Sequence, residues 1–369
     1  MKSMIKTVGL SCIAFSTAAA ASTSAKDRHD TTRDVPAYSH IVVIVEENKD
    51  FSQVMNPAIA PNITKLAREN GSAGNFFGEV HPSEANYLAF LGGDTFGIHD
   101  DDAFYCTPGS MAAYCDHANQ PGYVAHTVEA QHLGDQLHVK GLTWKGYYES
   151  IPEPGSLKVI SGDARVGVGA GLSSLYASKH SGFANFRDVQ DDPARASLLV
   201  GFEQLDADIK AEKLPSFALV VPNQCNEMHG LSGEGVPLDC SGGQVEQLIG
   251  RGDRVIGTLV AKLQGTAAWK SRQNMAIVIT FDEGSGGSKG GCCSVTPNAP
   301  SNYGGGHIPT IVITNHGPRG LRDATPYNHY SLLRTMEDAF GIKQHLRRAG
   351  DTAGGVVSMG PLFATSSRR

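Results

Sequence analysis

The residues with the most chemical content are His81-Pro82-Ser83-Glu84-Ala85-Asn86. A serine follows a proline, after the strand-like run 74–80, and opens the helix-like run 84–91. Its hydroxyl is placed among the free N–H groups of a helix start, which attract anions and phosphate above all. A nucleophile there faces phosphorus with its charge already partly neutralised. Taken alone, Ser83 reads as an ordinary N-cap; other polar clusters shift the balance.

Glu47-Asn48 follows the run 39–46, Asn223 to His229 follows 216–221, and Asp282-Glu283 follows 275–281. Glu47, Asn48, Asp282 and Glu283 supply oxygen ligands, with Ser83 as a fifth. Buried carboxylates that converge need a cation between them. Oxygen donors suit Mg²⁺, Mn²⁺ or Ca²⁺, while His229 and His329 would draw part of the site toward Zn²⁺ or Fe. Such an ion lowers the pKa of a serine and polarises a phosphoryl oxygen, which leads to a phosphoserine intermediate. His81, His99, His229 or His307 can protonate the leaving alkoxide. Singly, Glu47-Asn48 and Asp282-Glu283 read as turns, His229 and His307 as loop residues, and His329 as a helix start. Jointly they fall at the carboxyl ends of predicted strands or beside them, where open α/β sheets bind ligands.

Those strands must be held by a regular scaffold. The run 39–46 is a continuous β-rich segment and predicts a buried parallel strand. Further strands are expected at 76–80, 142–148, 216–221, 275–281 and 308–314, and helices at 61–70, 84–91, 127–139, 244–263 and 330–340. This alternation predicts an α/β fold: a doubly wound, mostly parallel sheet with helices on both faces. Residues 153–198 are the least patterned and read as a lid or insertion. A glycine-rich loop occupies 284–306.

With 369 residues, 40% hydrophobic and 18% charged, the chain is long enough for one large α/β domain or two small ones, and is drawn as a single domain over 39–362. Residues 1–22 read as a signal peptide, with Lys2 and Lys6 before an apolar run too short to span a bilayer. The expected location is therefore secreted or periplasmic, with no integral membrane segment once the signal is removed. Loss of those two lysines takes the net charge from −6 to −8. That argues against nucleic acid as a partner. Cys12 apart, six cysteines remain, an even number that suits disulfides in an exported chain. Short loops favour Cys106–Cys115 and Cys225–Cys240. Cys292 and Cys293 are adjacent and admit either a vicinal bridge or separate partners.

Several blocks resemble the bacterial phosphoesterase family of secreted acid phosphatases and phosphatidylcholine-type phospholipases C, within the alkaline-phosphatase superfamily. They are His-Ile-Val-Val-Ile-Val-Glu-Glu-Asn at 40–48, His-Pro-Ser-Glu-Ala-Asn-Tyr-Leu-Ala-Phe at 81–90 and Gly-Asp-Thr-Phe-Gly at 93–97. Pro222-Asn223 with Asn226-Glu227-Met228-His229, then Phe281-Asp282-Glu283, then His329-Tyr330 with Leu332, Leu333 and Thr335, follow in family order. The resemblance implies an alkaline-phosphatase-like fold. It makes Ser83 the nucleophile and Asn86 a phosphate-holding residue. Glu47 and Asn48 become metal ligands, with Asp282 and Glu283 as the later acidic pair. Glu227, His229 and His329 take the remaining polar positions. Glu227 departs from the aspartate common there, and the glycine-rich loop is outside the pattern.

The expected function is an exported, metal-dependent phosphomonoesterase of the acid phosphatase kind. Its substrate is a phosphate monoester, a phosphorylated lipid among the candidates. A phospholipase C or other phosphodiesterase on the same site is the alternative. Gly286-Gly287-Ser288-Lys289-Gly290 has the letters of a serine hydrolase motif but lies within the glycine-rich loop. Cys106-Thr107-Pro108-Gly109-Ser110 begins like a sulfatase motif but lacks its arginine. A binding protein with a dead site would have lost ligating side chains, and none is lost here.

Overall fold

The run His40–Glu46 forms strand β1, and all its residues after His40 are buried. Branched aliphatic residues without alternation suit a strand covered on both faces. The computed structural model, which besides Met1 describes residues 35–169, 173–294 and 304–365, places β1 inside an eight-stranded sheet. The other strands are β2 (Gly71–Phe77), β3 (Trp144–Tyr148), β4 (Leu199–Val200), β5 (Phe217–Val221), β6 (Met275–Phe281), β7 (His307–Thr314) and β8 (Leu321–Asn328). Their order is β8-β2-β7-β6-β1-β5-β3-β4. Only β7 runs against the rest, pairing antiparallel with both β2 and β6. The sheet is therefore mostly parallel, as the alternation predicts. Helices α1 (Pro61–Glu69), α2 (Glu84–Gly92), α3 (Val245–Gln264) and α4 (His329–Ala339) pack with it.

Local differences have identifiable causes. The expected strand 76–80 begins earlier, at Gly71, and stops before Gly78. The expected helix 127–139 is confined to Leu133–Val139. Val128 instead bonds the backbone of Asn185 and Arg187, and His132 caps the helix by accepting from the Gly134 N–H. Strand β8 has no counterpart in the sequence reading. It is an edge strand with alternating exposure and a proline at 326, the position where a sheet tolerates proline. The stretch 153–198 holds two-residue strands and short 3₁₀ turns, among them Ser178–His180. Disulfides join Cys106 to Cys115, Cys225 to Cys240, and Cys292 to Cys293. The leader after Met1 and residues 295–303 of the glycine-rich loop lie outside the described residues.

Candidate active site

Register builds the site. Strands β1 and β6 are parallel neighbours with Glu46 opposite Phe281, so Glu47 and Asp282 leave the sheet side by side. The Asp282 N–H donates to Glu46 O at 3.0 Å, and the Asn48 N–H donates to Asp282 Oδ1 at 3.0 Å. Asn48 makes that bond from the left-handed region, φ 57°, which asparagine tolerates better than most residues. On the other side, the Glu47 N–H donates to Glu227 O at 2.7 Å and draws in the loop after β5. Gly78 permits close approach from β2: a Cβ there would meet Asp282 O at 2.9 Å.

Ser83 enters on the N-terminus of α2 but does not cap it. Its side chain accepts no cap bond. Asp101 Oδ1 instead takes the Glu84 N–H at 3.2 Å, and the Ser83 hydroxyl donates to Glu47 Oε2 at 2.9 Å. Tyr87, one turn along α2, donates to Glu47 Oε1 at 2.6 Å. Asn48 Nδ2 donates to Glu47 Oε2 at 2.8 Å. The structure thus gathers Glu47, Asn48, Ser83 and Asp282 from three distant stretches of chain.

The electrostatics favour a bound cation. Burial, then Asp282 and Glu227, push the Glu47 carboxyl well above its ordinary range. Burial raises Asp282 to about 6 and Glu283 to about 8. Asp282 Oδ2 has no hydrogen-bond partner among the described residues. A fully buried carboxylate oxygen without a partner, beside other carboxylates, fits a hard divalent ion. Glu47, Asn48, Ser83 and Asp282 are the residues that would hold it.

Two imidazoles face the same carboxylate. His180 Nε2 lies 3.5 Å from Glu47 Oε1, while Nδ1 lies 2.7 Å from Glu227 Oε1. Glu227 therefore stands behind His180, close to Nδ1 but without a hydrogen bond of good geometry. His229 Nδ1 donates to Gly230 O at 2.7 Å, and its ring centre is 5.1 Å from that of His180. Ligand atoms of Glu47, His180 and His229 lie within 4.8 Å of one another. Burial and Lys179 lower the pKa of both histidines, His229 to about 4, so each ring is neutral and offers a lone pair. The sequence reading missed His180. It sits in the unpatterned stretch, and the only available signal was the run Ser178-Lys179-His180 before a glycine turn.

Other expected residues stand apart from Glu47. Glu283 pairs with His81 Nδ1 at 2.6 Å, and His81 Nε2 donates to Ser288 O at 2.7 Å. His329 Nε2 donates to the Asp282 backbone carbonyl at 2.7 Å, so that nitrogen props the strand end and is not turned to the carboxylates. Asn86 is spent on its own loop: Oδ1 accepts from the Glu79 and Val80 N–H groups, and Nδ2 donates to Val80 O. His307 stacks on Phe51 and donates to Gly74 O. His99 is exposed. Ser288 lies in a turn with no following helix, and Cys106 is in a disulfide, so neither the hydrolase nor the sulfatase motif is realised.

A sequence model of the Phosphoesterase family matches residues 53–343. A phosphatidylinositol-3-phosphatase from Mycobacterium tuberculosis is 27% identical over 84% of this chain and 79% of its own length. A phosphate-repressible acid phosphatase from Penicillium chrysogenum is 27% identical over 83% of this chain. A probable acid phosphatase from Kluyveromyces lactis is 25% identical over 85% of it. The chain spans only 60% and 61% of those two fungal proteins. Among solved structures, a protein of the alkaline phosphatase superfamily from Vibrio parahaemolyticus superposes with TM-score 0.50 at 12% identity, covering 84% of this chain and 68% of that one. The lipoteichoic acid synthase LtaP from Listeria monocytogenes gives 0.50 at 11%, covering 90% and 77%. These two show a shared fold.

Proposed function

This chain belongs to the Phosphoesterase family and is a phosphoric ester hydrolase, and from that premise we propose an exported, divalent-metal-dependent phosphomonoesterase working through Ser83. The observation that carries this reading is the 2.9 Å bond from the Ser83 hydroxyl to Glu47, made where a helix cap would otherwise claim the oxygen. A bound ion would supply Lewis acidity to the phosphoryl group and lower the pKa of the serine.

The side chains divide the remaining work. Ser83 Oγ forms a bond to phosphorus as the ester P–O bond breaks, and Glu47 Oε2 is the acceptor already facing its proton. His180 and His229, both neutral, offer nitrogen atoms to the same pocket. Glu283 raises the pKa of His81, but both ring nitrogens of His81 are engaged, so the departing alkoxide takes its proton from solvent. Water then cleaves the phosphoserine, with alcohol and phosphate as products.

A lipid-borne monoester is a second reading, favoured by one surface feature. The loop closed by Cys106–Cys115 carries Met111, 88% exposed, flanked by exposed Tyr105 and Tyr114. Asp101, in the stem of this segment, bonds the start of α2. Aromatic and methionine side chains at a rigid tip suit an interfacial contact. It also accords with the lipid named for the mycobacterial relative.

One panel tests both readings. p-Nitrophenyl phosphate, bis(p-nitrophenyl) phosphate, phosphatidylcholine and phosphatidylinositol 3-phosphate in vesicles are each assayed with EDTA and with metal restored. Monoester turnover that EDTA abolishes and metal restores is expected. Preference for the diester or phosphatidylcholine would move the assignment to a phosphodiesterase.

A further inference from the structure

Between α2 and β3 lies a disulfide-closed loop with only a small apolar cluster of its own. Around its disulfide the buried cluster consists of Ala103, Cys106, Cys115 and Ala118. No lysine or arginine occurs anywhere from 71 to 139. Yet Asp100 and Asp102 in this segment are buried, and so is Glu84 of α2. Lys179 reaches this segment from outside but is bound to Asp101, so the other buried carboxylates still need a compensating charge.

Two histidines meet these carboxylates. His117 Nδ1 lies 2.8 Å from Asp102 Oδ1 and 3.8 Å from Asp100 Oδ1. Donor atoms of Asp100, Asp102 and His117 fall within 4.8 Å of one another. His126 is fully buried, and its Nε2 lies 2.9 Å from Asp100 Oδ1. His126 Nε2 has no hydrogen-bond partner of good geometry among the described residues. Behind the ring, His126 Nδ1 lies 2.6 Å from Glu84 Oε2. Asn185 Nδ2 holds the other Glu84 oxygen. A carboxylate on the far nitrogen is the usual device for fixing a metal-binding imidazole with its lone pair turned toward the ion.

We propose that Asp100, Asp102, His117 and His126 bind one divalent cation of the zinc class, a structural site separate from the one at Glu47. Asp100, Asp102 and His117 bring three donors together, and His126 Nε2, 2.9 Å from Asp100 Oδ1, would complete a two-nitrogen, two-oxygen set suited to Zn²⁺. The ion would tie this segment to α2 at Glu84, next to Ser83. Asp101 lies between two of the donors but serves elsewhere, on the Glu84 N–H and on Lys179. The remaining polar contacts are internal: Asp100 Oδ1 accepts the Asp102 N–H, and Asp102 accepts the His117 N–H.

The full chain, purified without chelator and titrated with Zn²⁺, tests this by elemental analysis and thermal melting. His117→Ala suits the test because that side chain is 45% exposed and its loss leaves no cavity. Asp102→Asn is the second variant. Each is expected to bind one zinc fewer than wild type, with zinc affinity at this site at least about tenfold weaker. Each should also lose most of the zinc-induced rise in melting temperature. Asp282→Asn should keep this zinc, with X-ray absorption showing about four N/O neighbours near 2.0–2.1 Å. Wild-type zinc content and an unchanged melting response in both His117→Ala and Asp102→Asn would overturn the proposal and leave a proton-bonded cluster.

Discussion

The Ser83 hydroxyl donates to Glu47 Oε2 across 2.9 Å, although 36 residues separate the two in sequence. The bond exists because two other groups take over competing tasks. Asp101 caps α2 in place of Ser83, and the parallel register of β1 with β6 sets Glu47 beside Asp282. A serine freed from capping and surrounded by buried carboxylates is poised for chemistry. It has little structural duty to lose.

Replacement of Ser83 by alanine should therefore separate activity from fold. Turnover of p-nitrophenyl phosphate should fall about a thousandfold or more. Melting temperature should stay close to wild type, since one hydrogen bond contributes about 1 kcal/mol net. Steady-state kinetics and calorimetry on the same preparation check both halves. Retained turnover would remove Ser83 from the reaction.

Asp282→Asn removes one of the carboxylates that repel each other. In EDTA the variant should be at least as stable as wild type. Metal at a hundred times its dissociation constant should stabilise wild type by about 2.7 kcal/mol, and the variant by much less. Elemental analysis with melting curves reads this directly. Equal metal content in both proteins would assign Asp282 to a turn.

His180→Gln tests a residue found only through the structure. The neutral ring lies 3.5 Å from Glu47 and has Glu227 2.7 Å behind it. Its loss should lower kcat by about a hundredfold or more. Glu227→Gln keeps a side chain of the same size behind the ring and should cost less. A larger loss in Glu227→Gln than in His180→Gln would place Glu227 itself at the reacting atoms.

A pH effect on stability is expected away from the site, at Glu337 in α4. It is buried, accepts the Leu346 N–H at 2.7 Å, and burial pushes its pKa from 4.5 to about 7. Between those values the folded protein keeps a proton that the unfolded chain has released. Stability is therefore lost as pH rises through that window, by up to about 3 kcal/mol from this group. Glu337→Gln should match wild type near pH 4 and gain stability relative to it as pH approaches 7.5. Denaturant melts across pH check this; a constant difference would contradict it.

The sheet was legible where burial leaves a continuous aliphatic run, as in Ile41 to Val45 and Met275 to Phe281. Strand β8 was not, because an edge strand need bury only one face and can carry Arg322, Asp323 and Pro326. Glu47, Asn48, Ser83 and Asp282 could be read because strand ends collect polar residues where the sheet binds ligands. Asn86 lies in the same blocks, yet its side chain faces backbone groups, and Nε2 of His329 does the same. Which way a polar side chain turns depends on contacts the local sequence does not encode. His180 was hidden for the opposite reason: it comes from a stretch without periodicity, and only tertiary packing against Tyr87 and Glu227 brings it to Glu47.

The central claim is that phosphate passes through Ser83 before water receives it. The stereochemical course at phosphorus tests this most directly, with an isotopically chiral phosphate monoester and an alcohol acceptor. Two successive displacements, the first by Ser83, predict net retention in the transferred phosphate. Net inversion would mean a single direct displacement and would contradict the serine mechanism.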